Sequence, residues 1–161
     1  FVYYAPIYYA AVRENIEIVN FLIAQPGILF SSSTFQNCKV LKQIVIPSSM
    51  TFIPKRAFLD CTSLEQVTIP QSINSILSSA FKGCSSLKTI VILSSVSLIE
   101  CDAFSFCSKL EKINMPNSMC IDVSMFEKCT SLTEVILPES LIYIKMNAFK
   151  QCTSLKEIKM P

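Results

Sequence analysis

The stretch Ala57-Phe58-Leu59-Asp60-Cys61-Thr62-Ser63-Leu64-Glu65-Gln66-Val67-Thr68-Ile69-Pro70 decides how the whole chain is read, because the chain repeats it. Phe-x-x-Cys occurs at Phe35/Cys38, Phe58/Cys61, Phe81/Cys84, Phe104/Cys107, Phe126/Cys129 and Phe149/Cys152. Successive Phe residues lie 23, 23, 23, 22 and 23 positions apart, a regularity that chance does not produce. Three residues after each Cys stands Leu41, Leu64, Leu87, Leu110, Leu132 or Leu155. Each Leu opens Leu-x-x-Φ-x-Φ, where Φ is apolar: Ile44/Ile46, Val67/Ile69, Ile90/Ile92, Ile113/Met115, Val135/Leu137 and Ile158/Met160. Pro47, Pro70, Pro116, Pro138 and Pro161 follow in five units, and Leu93 takes that place in the third.

The Leu-x-x-Φ-x-Φ run ends in period-2 alternation, the pattern of a short strand with one buried face. Proline has no N–H for a ladder and stops the strand. A second apolar pair follows, Met50/Ile53, Ile73/Ile76, Val96/Ile99 and Leu141/Ile144, and reads as a second short extended rung. Ala-Phe-x-x-Cys then reads as one helical or 3₁₀ turn, with Phe and Cys on one side. A single unit cannot bury its own apolar face, so neighbours must stack. The expected fold is a mainly β solenoid: a right-handed coil of short parallel strands with one tight turn per repeat. Residues 34–161 give five full repeats and a truncated sixth. The fourth unit is one residue short, spaces Met119 and Ile121 by two, and carries Met125 before its Phe. A local kink or frayed second rung is expected there, with tolerated drift as the simpler explanation.

Composition narrows the function classes. The net charge is +2 and only 16% of residues are charged, with no basic run of the kind that binds nucleic acid. No apolar stretch is long and uncharged enough for a membrane span. Residues 1–24 are apolar but are interrupted by Arg13, Glu14 and Glu17, and they lack signal-peptide features. The chain starts at Phe1 and stops at Pro161 in mid-pattern, and so reads as a piece of a longer protein.

The unit Ala-Phe-x-x-Cys-x-x-Leu-x-x-Ile-x-Ile-Pro-x-Ser resembles the BspA-type leucine-rich repeats of bacterial and protist surface antigens. Ala57–Ser72 and Ala148–Pro161 carry it most cleanly, and the likeness covers residues 34–161. It implies an adhesion or host-contact role at the cell surface. Where that family often has Gly after the second-rung Ile, this chain has Pro54, Leu77, Glu100 and Lys145. No left-handed turn is expected at that point. Residues 5–28 carry a second resemblance. Ala5-Pro6-Ile7-Tyr8-Tyr9-Ala10-Ala11 is similar to the opening of an ankyrin repeat. Asn15-Ile16-Glu17-Ile18-Val19-Asn20-Phe21-Leu22-Ile23 is similar to its second helix, and Pro26-Gly27-Ile28 to its exit. Tyr8 stands for the usual His, and Arg13-Glu14 for the usual Asn-Gly. Independently, Ile16, Val19, Phe21, Leu22 and Ile23 give a helix with a broad apolar face. Residues 1–30 thus read as a partial ankyrin-like segment, either the last unit of an array or a cap over the first rung. Ser31-Ser32-Ser33-Thr34 marks the seam.

Six of the eight Cys share one repeat position, which reads as a column of buried, reduced thiols acting as small apolar fillers. Cys101 and Cys120 lie off that pattern and form the disulfide candidate if the chain is secreted. There is no His and no Cys-x-x-Cys, which argues against a zinc site and removes the commonest general base. The only glycines, Gly27 and Gly83, cannot build a phosphate-cradling loop. Glu100/Asp102 read as a solvated turn. No catalytic constellation, cofactor site or metal site is expected, and the chain reads as a non-enzyme.

What remains is the outward face of the first strands. Its first column is Gln43, Gln66, Thr89, Lys112, Glu134 and Glu157; its second is Val45, Thr68, Val91, Asn114, Ile136 and Lys159. At the strand entry, Lys42, Glu65, Lys88 and Glu111 alternate in sign, as expected of charges that pair across rungs. Val45, Val91 and Ile136 are apolar where solenoids take partners, although strand propensity also explains them. The first function expected is protein or glycan binding on this face. The alternatives are a scaffold that self-associates through open repeat ends and an intracellular adaptor with ankyrin repeats. The surface resemblance points to the cell surface. The ankyrin-like segment, the free thiols and the absence of any Asn-x-Ser/Thr site point to the cytosol.

Overall fold

In the computed structural model the described residues are 7, 9, 10, 13, 15–25, 27–115, 117 and 120–158. Pro116, Met119, Lys159, Met160 and Pro161, and most of the ankyrin-like opening, lie outside them. The alternating residues of each unit form short strands. The first strands of the units are β1 (Gln43–Val45), β3 (Gln66–Thr68), β6 (Lys112–Asn114) and β8 (Glu134–Ile136). The second strands are β2 (Phe52–Ile53), β4 (Ser75–Ile76), β5 (Leu98–Ile99), β7 (Cys120–Ile121) and β9 (Tyr143–Ile144). Every pairing is parallel and in register from unit to unit, as in Ile44 with Val67 and Ile53 with Ile76. The chain is therefore a parallel β-solenoid, preceded by helix α1 (Ile16–Ile23).

Tight turns join the strands. The carbonyl of Pro47 accepts from the Met50 N–H, Pro70 from Ile73 and Pro138 from Leu141. Leu93 makes the same bond to Val96, so the corner needs a carbonyl at that place and not a proline ring. A further turn runs from Cys to Leu in the second to sixth units, as from Cys61 to Leu64.

The Phe corner is the most regular part of the molecule. Within each corner alternate N–H groups close i→i+3 turns, for example Leu59 to Arg56 and Cys61 to Phe58. That is the bonding of a 3₁₀ turn, but left-handed residues bracket the Phe. They are Ser33/Asn37, Arg56/Asp60, Ser79/Gly83, Asp102/Phe106, Ser124/Lys128 and Asn147/Gln151. The positions after the second-rung Ile, Leu77, Glu100 and Lys145, are not left-handed; positive φ comes two residues later. This alternation turns the remaining N–H groups toward the next unit. Phe35 donates to Ala57, Phe58 to Ala80, Phe81 to Ala103, Phe104 to Met125 and Phe126 to Ala148, at 2.8–3.0 Å. The residues two before and two after each Phe do the same.

The strand ladders are less continuous. The first-strand sheet is interrupted between Gln66–Thr68 and the third unit, where only Thr89 bridges to Lys112. The second-strand sheet runs β2-β4-β5 and is broken before β7. That break falls at the short fourth unit, as expected of a frayed second rung. The missing residue lies between Met115 and Ile121, and the corner ladder re-registers beyond it, with Asp102 donating to Val123 at 3.0 Å.

One core runs the length of the coil. Phe35, Phe58, Phe81, Phe104 and Phe126 are completely buried. With Phe149 they form a parallel stack, ring centroids 5.2–5.8 Å apart and planes within 3–10° of each other. Those spacings are within the range favoured for offset aromatic pairs. Helix α1 starts at Asn15, whose side chain accepts from the Ile18 N–H, and buries Val19 on its inner side.

Candidate functional site

The alternation of the first strands sends every second side chain outward. Gln43, Gln66, Thr68, Thr89, Lys112 and Asn114 are exposed, and Glu134 is half-buried. The three apolar members stand well clear of the surface: Val45 is 67% exposed, Val91 69% and Ile136 47%. Parallel register sets Val45 beside Thr68 and Asn114 beside Ile136. Val91 belongs to no strand, so the face is two paired ladders joined by the Thr89–Lys112 bridge. Lys112 and Glu134, both candidate partner-binding residues, are register partners and pair with each other at 2.9 Å.

The entry column behaves differently from expectation. Lys42, Glu65, Lys88 and Glu111 are all exposed, and none takes part in the four ion pairs among the described residues. Their backbones hold the register instead, Glu65 N–H to the Lys42 carbonyl and Glu111 N–H to the Lys88 carbonyl. The ion pairs sit elsewhere: Lys82–Asp102, Lys112–Glu134, Lys145–Asp122 and Lys150–Glu127, each between consecutive units. Glu100 and Asp102 are also structural. The Glu100 carboxylate accepts from the Ser78 N–H at 2.8 Å, and Asp102 holds Lys82 at 2.8 Å.

Two surfaces escaped the sequence reading. The residue before each second-rung Ile points outward, so Phe52, Leu98 and Tyr143 form an exposed apolar column interrupted by Ser75 and Cys120. The x in x-Ile was the available signal. The second surface is an open groove of about 710 Å³ along the Phe corner. Its floor includes Phe106, with the Lys128 ammonium 4.5 Å and the Lys82 ammonium 5.6 Å from the ring centre. Thr62, Ser85, Ser108, Thr130 and Thr153 form one wall. The hydroxyls of Ser85, Ser108, Thr130 and Thr153 donate back along the column, as from Thr130 to the Ser108 carbonyl at 3.2 Å.

The repeat-position thiols are bonded rather than merely filling space. The thiol of Cys61 donates to the Phe35 carbonyl, Cys84 to Phe58, Cys107 to Phe81, Cys129 to Phe104 and Cys152 to Phe126, at 2.9–3.2 Å. Burial pushes the Cys107 thiol up to about 12 and raises Cys61, Cys84 and Cys129 strongly. Such thiols stay protonated and are poor nucleophiles and metal ligands. Cys101 and Cys120 are both free, and Cys101 faces the Ser78 hydroxyl at 3.4 Å. Among the described residues no cluster of acidic or Cys side chains is placed to hold a metal, and no helix is long and apolar enough to cross a membrane.

Residues 28–156 match the model of the BspA type leucine rich repeat region in six copies. The chain belongs to the BspA-type leucine-rich-repeat family. Repeat proteins of this kind are generally protein-interaction or surface modules. The BspA-type solenoid is similar to a leucine-rich cell-surface protein from Faecalibacterium prausnitzii A2-165, at 32% identity and a TM-score of 0.73, over 80% of this chain and 41% of that one. It is also similar to the leucine-rich-repeat protein of T. pallidum, at 25% identity and a TM-score of 0.68, over 84% and 76%. A leucine-rich-repeat protein from Eubacterium ventriosum shares the fold at 20% identity and a TM-score of 0.58, over 74% and 39%. The chain thus spans less than half of the Faecalibacterium protein. No curated protein matches it. The family match begins at residue 28, so the ankyrin resemblance of residues 5–28 gains no support from these comparisons.

Proposed function

We propose that this BspA-type chain is a non-catalytic module at the cell surface that binds a protein partner on the outward face of its first strands. The observation that carries the reading is the exposure of Val45, Val91 and Ile136 on a face otherwise lined by Gln43, Gln66, Thr68, Thr89, Asn114 and the Lys112–Glu134 pair. Exposed apolar side chains interleaved with polar ones, as Val45, Val91 and Ile136 are with Thr68 and Asn114, suit a protein interface that takes both apolar contacts and hydrogen bonds. The flanking Gln, Thr and Asn side chains supply hydrogen bonds at lower desolvation cost than charged groups would. The surface location is supported by the cell-surface protein of Faecalibacterium prausnitzii, and an adhesion role would follow from it.

The test is binding of the wild-type chain and of Val45→Ser/Val91→Ser/Ile136→Ser to panels of purified surface and matrix proteins and to a glycan array. Loss of three apolar contacts should weaken a protein partner by roughly 10- to 100-fold. Binding equal in both chains removes the site assignment, and binding confined to glycans removes the protein partner. A second reading, an intracellular adaptor, is favoured by the eight free cysteines, which suit a reducing compartment. Thiol titration of protein taken from its native source separates the two.

A further inference from the structure

Phe106 is an exposed aromatic ring at a backbone position that disfavours it. It stands two residues after the corner Phe, where φ is positive in every unit. Asn37, Asp60, Gly83, Lys128 and Gln151 hold that place in the other units, so only here is the residue aromatic. A bulky side chain at φ 62° is strained, and such strain persists at sites where something compensates for it. The core does not compensate, because Phe106 is 38% exposed and is no part of the buried stack. Its contacts with the Lys82 and Lys128 ammonium groups are made at an open surface, where they are weak.

Phe106 lies at the middle of the corner groove, which runs along the side of the coil over the second to sixth units. Rungs of a parallel stack stand about 4.8 Å apart, so the groove is roughly 19 Å long. The wall is one-sided in its hydrogen bonding. Ser85, Ser108, Thr130 and Thr153 give their hydroxyl protons to carbonyls one unit back, at 3.2–3.5 Å. Their oxygens keep lone pairs, so this wall asks for donors on whatever lies against it. Charge divides the groove lengthwise. Lys128 enters none of the four ion pairs among the described residues, and its ammonium lies 4.5 Å over the Phe106 ring. Lys82 gives one proton to Asp102 and has others to give. Toward the second unit, the Asp60 carboxylate lies over Gly83 in the place a Cβ would take. That end repels an acid group and accepts hydroxyls.

We propose that this groove binds a sugar chain in which acidic and neutral residues alternate. A neutral sugar packs the apolar C–H face of its ring on Phe106. The acid group of the next sugar meets Lys128, whose ammonium turns from the ring to the carboxylate. On the other side an acid group meets Lys82, and a neutral sugar gives its hydroxyl protons to Asp60. The row of Ser and Thr oxygens takes donors along the whole length. One sugar of an extended chain advances by about one rung, so successive sugars meet equivalent positions. An extended peptide advances about 3.3 Å per residue and falls out of step with the rungs. A chain with an acid on every sugar would set one against Asp60. The groove lies on a different face from Val45, Val91 and Ile136, and its occupant is independent of what binds there.

The experiment is calorimetric titration of the full chain with three probes: a hyaluronan octasaccharide, a neutral chitin oligosaccharide and a polyglutamate peptide. The octasaccharide, whose acidic and neutral sugars alternate, should bind tightest, with the other two weaker by roughly 10-fold or more. Phe106→Gly relieves the strained backbone, so it should melt no lower than the unaltered chain while losing roughly 10-fold in octasaccharide affinity. Lys128→Gln should weaken binding and flatten its dependence on salt. Val45→Ser/Val91→Ser/Ile136→Ser should bind the octasaccharide as the unaltered chain does. No octasaccharide binding, or binding that Phe106→Gly leaves unchanged, overturns the proposal. Polyglutamate bound as tightly as the octasaccharide overturns it in favour of an acidic peptide, and chitin bound as tightly removes the role of the acid group. Loss of octasaccharide binding in the first-strand variant alone would place the sugar on the other face and overturn the groove assignment.

Discussion

The thiol of Cys61 donates to the carbonyl of Phe35, one unit back, at 2.9 Å, and that carbonyl also accepts from the Cys38 N–H. The cysteine thus ties two units together at a buried acceptor. Cys61→Ala removes that bond and leaves a small void, which should cost about 1–3 kcal/mol. Cys61→Ser keeps a donor at the same place and should cost less than Ala. A purely space-filling cysteine would give the opposite order, because Ser is polar and buried. Urea denaturation of the two variants distinguishes these outcomes.

Backbone conformation offers a second test. Ser79 has φ 57°, a left-handed conformation that costs a residue with a Cβ about 1–2 kcal/mol. Ser79→Gly should therefore raise stability by about 0.5–1 kcal/mol after glycine's own entropy is subtracted. The reverse change, Gly83→Ala, should lower it by about 1–2 kcal/mol. There φ is +76°, and an added Cβ would collide with the Asp60 carboxylate above it. Thermal melts read both effects.

The thiols set the alkaline limit of the fold. Burial raises Cys61, Cys84, Cys107 and Cys129 above the ordinary thiol value of 9.0, Cys107 to about 12. Below pH 9 folded and unfolded chains both keep these protons, so stability is independent of them. Above it the unfolded chain ionises first and is favoured. Each such thiol should then cost about 1.4 kcal/mol per pH unit. Stability measured from pH 7 to 11 should be flat and then fall steeply, and Cys107→Ser should make the fall shallower.

On the first-strand face, Lys112 and Glu134 pair across neighbouring strands with the Lys well exposed. Such pairs contribute about 0–1 kcal/mol. Lys112→Ala should leave the melting curve nearly unchanged, which separates any effect on partner binding from an effect on folding. Binding measured at low and high salt then shows whether the pair is recruited by the partner.

Much of this fold was legible in the sequence. Ile44, Ile53, Val67 and Ile76 announced their strands by alternation, and the one-residue deficit before Phe126 announced the break in the second ladder. The handedness of the corners was hidden because Ser33, Arg56, Ser79, Ser124 and Lys128 are not the residues that advertise positive φ; Gly83, Asn37, Asp60, Asp102 and Asn147 hinted at it. The alternating entry charges misled because side-chain contact depends on where a strand begins, and the ladder starts only at Gln43 and Gln66. The edge-on seat of Phe30 against Phe35 was not legible, since a lone Phe before a Ser run has no pattern of its own. The outward column was found because period 2 fixes direction. Phe52, Leu98 and Tyr143 were missed because a two-residue strand is too short to show alternation.

The corner ladder is the spine that carries this solenoid across the gaps in its strand ladders, and hydrogen exchange read residue by residue on the intact chain tests that most directly. The amides of Phe58, Phe81, Phe104 and Phe126 should be the slowest to exchange, with Phe104 as protected as Phe81 despite the break in the second sheet beside it. They should outlast the strand-flanking amides Ile46, Leu77 and Met115, which also bond to the neighbouring unit. A spine is contradicted if those strand amides are the slower set, or if protection collapses at Phe104.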